Sequence, residues 1–420
     1  MANQEYSPLI DSTSPIKPAD KYGLAWVCFC ILGVGLLFPF NCYIAASDYF
    51  VTLYPTVPYT FMMSLAYNYF QWVLLFVSLK LMPRFSFKSR ISIFLILGAI
   101  ILFFIPFIRM IFSNMKSSMA ISLICTFLSG SIASLLFGSV LGLVGLFPME
   151  YTGAVMSGNG VAGIIASLLR IITKVSVPDN SSGAKESSFL FFFLAAGVLV
   201  FCFLCFILLL NLPITKYYLA IYEAAKQTSH DSGSVNEDNG KNKKTVAIFP
   251  LIKKVWREAL VVFTVFFTTL SLFPGITGII QNIGHNELSQ DWFQIILTFM
   301  FMIGDYIGRT IPKWIILFKP TNLWIPTFAR LAFFPLFALC VKPLIFRSLA
   351  WYFIFMFIFS LSNGYCGTLA MMFGPTKAEE HEKEVTGIVM SFFLNFGIWV
   401  STHFAFLVLY LVTGSSGISF

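Results

Sequence analysis

Asp305 and Arg309 stand four residues apart in the stretch 301–314, FMIGDYIGRTIPKW, inside an otherwise apolar run. On a helix that spacing puts carboxylate and guanidinium one turn apart on the same face, where they can pair. Charge is costly in hydrocarbon, so ionisable residues of a spanning helix face the bundle interior or a wet cavity and by default mark a site. A carboxylate there can accept hydrogen bonds from hydroxyls, and a guanidinium can donate them. A purely structural pair that pins part of the bundle is the competing reading.

Other polar groups sit in similar surroundings. Pro39 is followed by Phe40 and Asn41, so an aromatic face and an amide come directly after an expected kink. They would suit a planar polar ligand, or Asn41 bonds a neighbouring helix. Ser64, Asn68 and Gln71 share one face at helical spacing. That stripe lines a pathway or makes ordinary interhelical bonds. Arg170 is expected to snorkel from a helix end. Arg330 is expected in a cytoplasmic-side charge cluster that latches two halves together, with a site role as the alternative. Gly158, Gly160 and Gly163 formally match GxGxxG, but no strand of a soluble βαβ unit precedes them, so close helix packing is expected instead. Gly138 and Gly142 form a GxxxG packing pattern. Cys202 and Cys205 make a lone CxxC in an apolar run, and His230, His285, His381 and His403 do not assemble. Neither a metal site nor a catalytic triad is expected, which argues against an enzyme, and no cofactor is required.

The elements that carry these residues are membrane spans. The chain is 58% hydrophobic and only 11% charged, with a mean hydropathy of +0.83, far from the soluble norm of roughly 25% charged. An all-α polytopic membrane protein follows. About 20 apolar residues are needed per span, and eleven candidates result: 22–46, 59–80, 91–112, 118–147, 151–175, 187–211, 256–278, 291–314, 321–343, 348–374 and 385–413. The chain divides into a tail 1–21, a six-helix half 22–211, a polar and largely disordered linker 212–255, a five-helix half 256–413 and a tail 414–420. Lys253, Lys254 and Arg257 in that linker and the helix after it are read as juxtamembrane anchors or an anionic-lipid contact.

The net charge of +8 is mostly topological, and no nucleic acid polymer is implied. With the N-terminus inside, 18 of the 27 Lys and Arg fall in inner segments and six in outer ones, the rest lying within spans. The tail 1–21 is then cytoplasmic and the tail 414–420 outside. Asn180 in Asn180-Ser181-Ser182 becomes an outward glycosylation sequon. The first tail lacks the apolar core of a cleavable signal, and its Glu5-Tyr6-Ser7-Pro8-Leu9-Ile10 fits an acidic dileucine sorting pattern. A plasma membrane location is expected, with endosomal or lysosomal routing as the alternative. The six-plus-five layout resembles a two-half transporter with one helix missing, whose substrate site lies near the midplane.

The segments GVGLLFPFNCYIAASDYF, GLVGLFPMEYTGAVMSGNGVAG, GDYIGR, RLAFFPLFALC and SNGYCGTLAMMFGPTKAEEHEKEVTGIVMSFFLNFG resemble, in order and spacing, those of equilibrative nucleoside transporters. The resemblance spans nearly the whole chain. It implies eleven helices and a truncated major-facilitator-like fold. By position it places Asp305 and Arg309 on the ribose-contacting pair and Asn41 beside the site. Phe40 stands where many members have tryptophan, and Phe137 where a glutamine reads the base edge, which leaves base preference open. Asn68, Gln71 and Asn395 complete the candidate substrate contacts. YPTVPYTFMMSLAY and SLLRIITKVSVPD look more like the family's plasma membrane monoamine transporter branch. That branch uses a fifth-helix glutamate for cations, and here the position is the neutral Asn159.

The expected function is nucleoside transport, extending to nucleobases, by alternating access down a gradient. Polyspecific organic cation or monoamine transport is the alternative, followed by a non-transporting receptor or scaffold. Besides substrate and membrane lipids, no obligate protein partner is inferred.

Overall fold

The computed structural model describes residues 18–55, 57, 59–177, 181–231, 247–281, 290–346 and 348–413. The sorting pattern at 5–10, the sequon Asn180 and the tail 414–420 lie outside the described residues. The elements are helices: α1 (Leu24–Ala45), α2 (Tyr59–Asn68), α3 (Gln71–Leu81), α4 (Phe87–Phe104), α5 (Met115–Val144), α6 (Met149–Val175), α7 (Ser181–Asn211), α8 (Pro213–Asp231), α9 (Ile248–Leu272), α10 (Gln290–Thr310), α11 (Trp324–Ala329), α12 (Phe333–Val341), α13 (Leu349–Thr376) and α14 (Lys383–Thr413), joined by shorter turns. Polar side chains start several of them by accepting bonds from otherwise unpaired amides. Asp20 takes those of Ala25 and Trp26 at 2.9 and 3.2 Å, and Ser86 takes that of Ser89 at 3.2 Å.

Among the described residues, ten helical segments are long and apolar enough to cross a membrane, with α2–α3 and α11–α12 each counting as one. The remaining expected span, 291–314, is α10. Its 21 residues are long enough, but its polar ends and its two charges lower its hydropathy, while α13 and α6 pack along it. With α10 the number of long helices comes close to the eleven spans expected. The outward faces are apolar, with Phe76, Ile100, Phe103, Ile171, Phe201 and Leu204 exposed, and serines, threonines and amides turn inward. Such a surface is matched to lipid.

Three apolar clusters hold the bundle. With inner and outer ends assigned by the basic-residue bias, one cluster fills the outer end of the first half with Phe38, Tyr43, Phe50, Tyr59 and Phe191. A second fills the outer end of the other half with Leu272, Phe293, Phe337, Tyr352 and Phe359. The third is shared by both halves at the inner end, where Phe29, Val140 and Phe147 join Val262, Leu369, Ile388 and Met390. The halves therefore have separate cores outside and a common one inside.

Two corrections to the expected organisation follow. The segment 212–255 is not structureless along its length: 213–231 is helix α8, and only 232–246 lies outside the described residues. Arg170 does not snorkel: it is 8% exposed and donates to Ser187 and Ser188 on α7 at 3.2 and 3.4 Å.

The GxGxxG glycines serve packing. A Cβ on Gly158 would lie 1.9 Å from the Cys30 carbonyl oxygen of α1, so the two backbones touch there. Gly158→Ala is expected to lower stability by about 1–3 kcal/mol through forced backbone shifts. Gly197→Ala on α7, where a Cβ meets nothing within 4 Å, should instead raise it by about 0.5–1 kcal/mol. Thermal unfolding of the purified protein in detergent distinguishes the two signs.

Candidate functional site

The i,i+4 spacing in α10 is realised as a contact. Arg309 Nε donates to Asp305 Oδ2 at 2.7 Å, with the two residues 6% and 9% exposed. The other carboxylate oxygen is held from α13, where Asn363 Nδ2 donates to Asp305 Oδ1 at 2.6 Å. Asn363 Oδ1 lies 2.7 Å from the Thr269 hydroxyl of α9, and Arg330 Nη2 donates to that hydroxyl at 2.6 Å. Arg330 also donates to the Phe359 carbonyl at 2.7 Å and to Ser362, with its guanidinium 5.0 Å from the Phe359 ring centre. The single Thr269 hydroxyl proton has two acceptors, Asn363 Oδ1 and the Val265 carbonyl oxygen at 2.8 Å; when it points to Asn363 the donors run in one direction, from Arg330 to the carboxylate, and such chains polarise one another. Arg330 is 2% exposed, and the expected cytoplasmic latch is not where it belongs. It is part of the Asp305 network.

Why α10 and α13 approach so closely is legible in small residues. A Cβ on Gly364 would lie 2.1 Å from the Asp305 carbonyl oxygen, so no larger residue lets Asn363 reach the carboxylate. From the first half, α6 closes on the same place. Gly160 would put a Cβ 3.1 Å from Arg309 Cδ, and the Ser157 hydroxyl lies 3.3 Å from the Arg309 carbonyl oxygen. Asn159, beside Gly160, is 3% exposed and its Oδ1 has no hydrogen-bond partner among the described residues. A buried unpaired acceptor costs about 1–3 kcal/mol, which a donor on a ligand can recover. Asn41 rests against Gly163 of the same helix, 3.1 Å from a Cβ there, while its amide nitrogen bonds the Leu37 carbonyl of its own helix at 2.9 Å.

The remaining candidates are placed differently. Asn68 and Gln71 flank the break between α2 and α3 and donate to carbonyls one turn back, Ser64 at 2.9 Å and Tyr67 at 3.0 Å. Asn395 does the same with Ser391 at 2.9 Å. Phe40 packs on Tyr67 with ring centres 4.9 Å apart. Phe137 is 5% exposed within the shared inner core. None of these five has a hydrogen bond to Asp305 or Arg309. Sequence reasoning missed Asn363 and Thr269, which are 58 and 36 residues from Asp305 and carry no local signal.

A second buried charge pair closes the inner end. Arg90 Nη2 of α4 lies 2.5 Å from Glu384 Oε1 at the start of α14, joining the two halves, and both are at most 3% exposed. Tyr222 of α8 donates to the other Glu384 oxygen, and the Arg90 guanidinium sits 4.2 Å from the centre of the Phe87 ring. Burial, and then the Glu384 carboxylate, push the Tyr222 phenol up, so it stays a donor. Lys313 of the second half lies 3.7 Å from the centre of the Trp26 ring of the first. Among the described residues no group of three or more His, Cys, Asp or Glu is arranged to hold a metal ion.

A family model described as "Nucleoside transporter" matches residues 121–410. "Equilibrative nucleotide transporter 1" of Arabidopsis thaliana is 29% identical over 91% of this chain and 85% of its own length. "Equilibrative nucleoside transporter 1" of Homo sapiens is 28% identical over 94% of this chain and 99% of its own. Among solved structures, the E. coli fucose:proton symporter FucP superposes with a TM-score of 0.57 at 12% identity, covering 95% of this chain and 99% of that one. That likeness establishes a major-facilitator-like fold.

The network makes a prediction of its own. Asn363→Leu keeps the branched shape but removes the donor to Asp305, and a double-mutant cycle with Asp305→Asn should give a coupling energy of roughly 0.5–3 kcal/mol. The cycle of Asp305→Asn with Asn395→Leu should be additive within about 0.5 kcal/mol. Thermal or denaturant unfolding of the four variants and the parent measures both.

Proposed function

The chain belongs to the nucleoside transporter family, and from that premise we propose that it moves nucleosides across a membrane by alternating access, down their own gradient. The observation that carries the proposal is the buried Asp305–Arg309 pair set against the opposite half of the bundle. A carboxylate has about four acceptor positions, and here one donor occupies each oxygen. Acceptor capacity is left for the vicinal hydroxyls of a ribose. The terminal nitrogens of Arg309 make no hydrogen bond among the described residues, and they would donate to the same sugar. Asn159 Oδ1 would accept from the base or sugar, and Phe40 would stack on the base. Asn41, Asn68, Gln71 and Asn395 would offer amides after small rotations away from their own helices. Phe137 gives the base an apolar wall instead of an amide, so fit selects it more than hydrogen bonding does. Transport of nucleobases alone would forgo the ribose contacts.

The movement is supported by the uneven cores. The halves share a core and the Arg90–Glu384 pair at one end and have separate cores at the other. Exchange of access requires that pair to part. A buried pair broken and left dry costs about 3–5 kcal/mol, so water must reach both partners as the inner end opens. The organic cation reading is not favoured: Asn159 is neutral, and the relatives named above are nucleoside and nucleotide transporters. A plasma membrane location is part of the proposal, as is glycosylation at Asn180.

Uptake of labelled uridine and adenosine into vesicles reconstituted with the purified protein tests the function. Time-dependent flux, competed by nucleosides and not by a monoamine cation, is expected. A hydrogen bond to a charged group contributes about 1.5–3 kcal/mol, so Asp305→Asn should lower flux or affinity by roughly 10- to 150-fold. Unchanged flux and affinity would sink the ribose assignment, and absence of any flux in the parent would leave a receptor or scaffold. For the inner closure, Tyr222→Phe should accelerate amide hydrogen exchange across 383–390 by about tenfold or more, from the same loss of a charge-assisted bond.

A further inference from the structure

On the outer surface of the second half, at its inner end, α9 and α11 diverge around a groove of about 330 Å³. Its floor is apolar, built from Leu260, Leu323 and Phe328, and Trp256 and Trp324 flank it with 50% and 54% of their surface exposed. Arg257 stands at the rim. We propose that this groove binds an anionic phospholipid, with an acyl chain along the floor and the phosphate at Arg257.

Three observations carry the assignment to a lipid. First, the lining is almost wholly apolar and part of it is exposed: Leu260 and Phe328 are each 39% exposed, and Ile325 beside them is 52% exposed. On a membrane-spanning helix such a surface faces acyl chains. Second, exposed tryptophans gather at the headgroup level of a membrane, where an amphipathic ring meets both phases. Trp256 and Trp324 mark that level beside the groove.

Third, the charges sort themselves. Lys254 is taken by Glu379 and Glu382 at 3.2 and 2.8 Å. Glu258, which lines the groove, is offset by Lys377 at 2.5 Å. Arg257 makes no ion pair among the described residues and lies over the Trp256 ring at 5.6 Å. Lys253, one turn earlier, is exposed, and the exposed Lys319 adjoins the groove residue Pro320. The uncompensated charge around this apolar slot is therefore positive. Of the three basic residues read from sequence as one lipid contact, Lys254 serves the protein, and Lys253 and Arg257 are left to the headgroup.

Native mass spectrometry of the full chain, released from micelles holding equal phosphatidylserine and phosphatidylcholine, tests the proposal. Retained phosphatidylserine should exceed phosphatidylcholine in the parent. A basic residue near an anionic headgroup contributes about 1 kcal/mol, so Arg257→Gln should cut retention of phosphatidylserine by roughly fivefold and that of phosphatidylcholine, whose ammonium offsets its phosphate, by less. Leu260→Trp, which fills the slot without touching charge, should lower both. Arg257 and Leu260 are exposed, so neither change threatens folding, and nucleoside uptake by both variants checks that. Equal retention of the two lipids by the parent, or no effect of Arg257→Gln, overturns the assignment. So does stabilisation of the protein by inorganic phosphate equal to that by phosphatidylserine, since a free anion has no use for the apolar floor.

Discussion

Keeping the Asp305 carboxylate charged inside a membrane bundle is the requirement that much of the second half is arranged to meet. An ion of this size taken out of water costs several kcal/mol even after relaxation. Arg309 answers one oxygen and Asn363 the other, and Thr269 and Arg330 continue the chain behind Asn363. This explains why α9, α10, α13 and the turn 330–332 between α11 and α12 must meet closely. It also explains the glycine at 364, since the carbonyl of Asp305 occupies the space a side chain would need. The carboxylate is therefore held from α13 directly and, through Asn363, from α9 and that turn, which fixes it as a feature on which a ligand can be read.

A site that is rigid on one half serves transport only if the other half can move against it. The distribution of apolar packing provides for this. Each half is internally cemented at its outer end, while the inner end is cemented across the halves. The Arg90–Glu384 pair and Tyr222 lie in that shared region, so a buried ion pair joins the halves at the end where their cores merge. α6 touches both centres of gravity: it packs backbone to backbone on α1 through Gly158 and meets Arg309 through Gly160. It is the element through which a shift of one half would be felt at the charge pair.

Legibility followed sequence distance. Asp305 and Arg309 were readable because their contact is one helical turn long and their polarity breaks an apolar run. Arg90 and Glu384 are 294 residues apart, and in the sequence they looked like ordinary basic and acidic residues near span ends. Arg330 illustrates the same limit from the other side. Its burial was suspected, but the sequence offers no reason to connect it to Thr269, 61 residues away, and the latch reading was the simpler one. Asn68, Gln71 and Asn395 share the opposite fate. The spacing of Asn68 and Gln71 suggested a lining, and in the structure they, like Asn395, donate to a backbone carbonyl one turn back.

Composition and hydropathy alone determined that the chain is a bundle of membrane-spanning helices, because the bilayer demands apolar length and backbone self-sufficiency whatever the topology. The i,i+4 charge pair was determined at the same level, since a helix fixes the geometry of near neighbours. The segment resemblance added the family. Which distant groups neutralise Asp305, where the halves are joined, that 213–231 is helical, and which of three neighbouring basic residues stays uncommitted were decided only by the tertiary structure. Those outcomes depend on helix rotation and depth in the bundle. The close approaches at Gly158, Gly160 and Gly364, where no larger side chain fits without a shift, help set these quantities, and no local pattern in the chain encodes them.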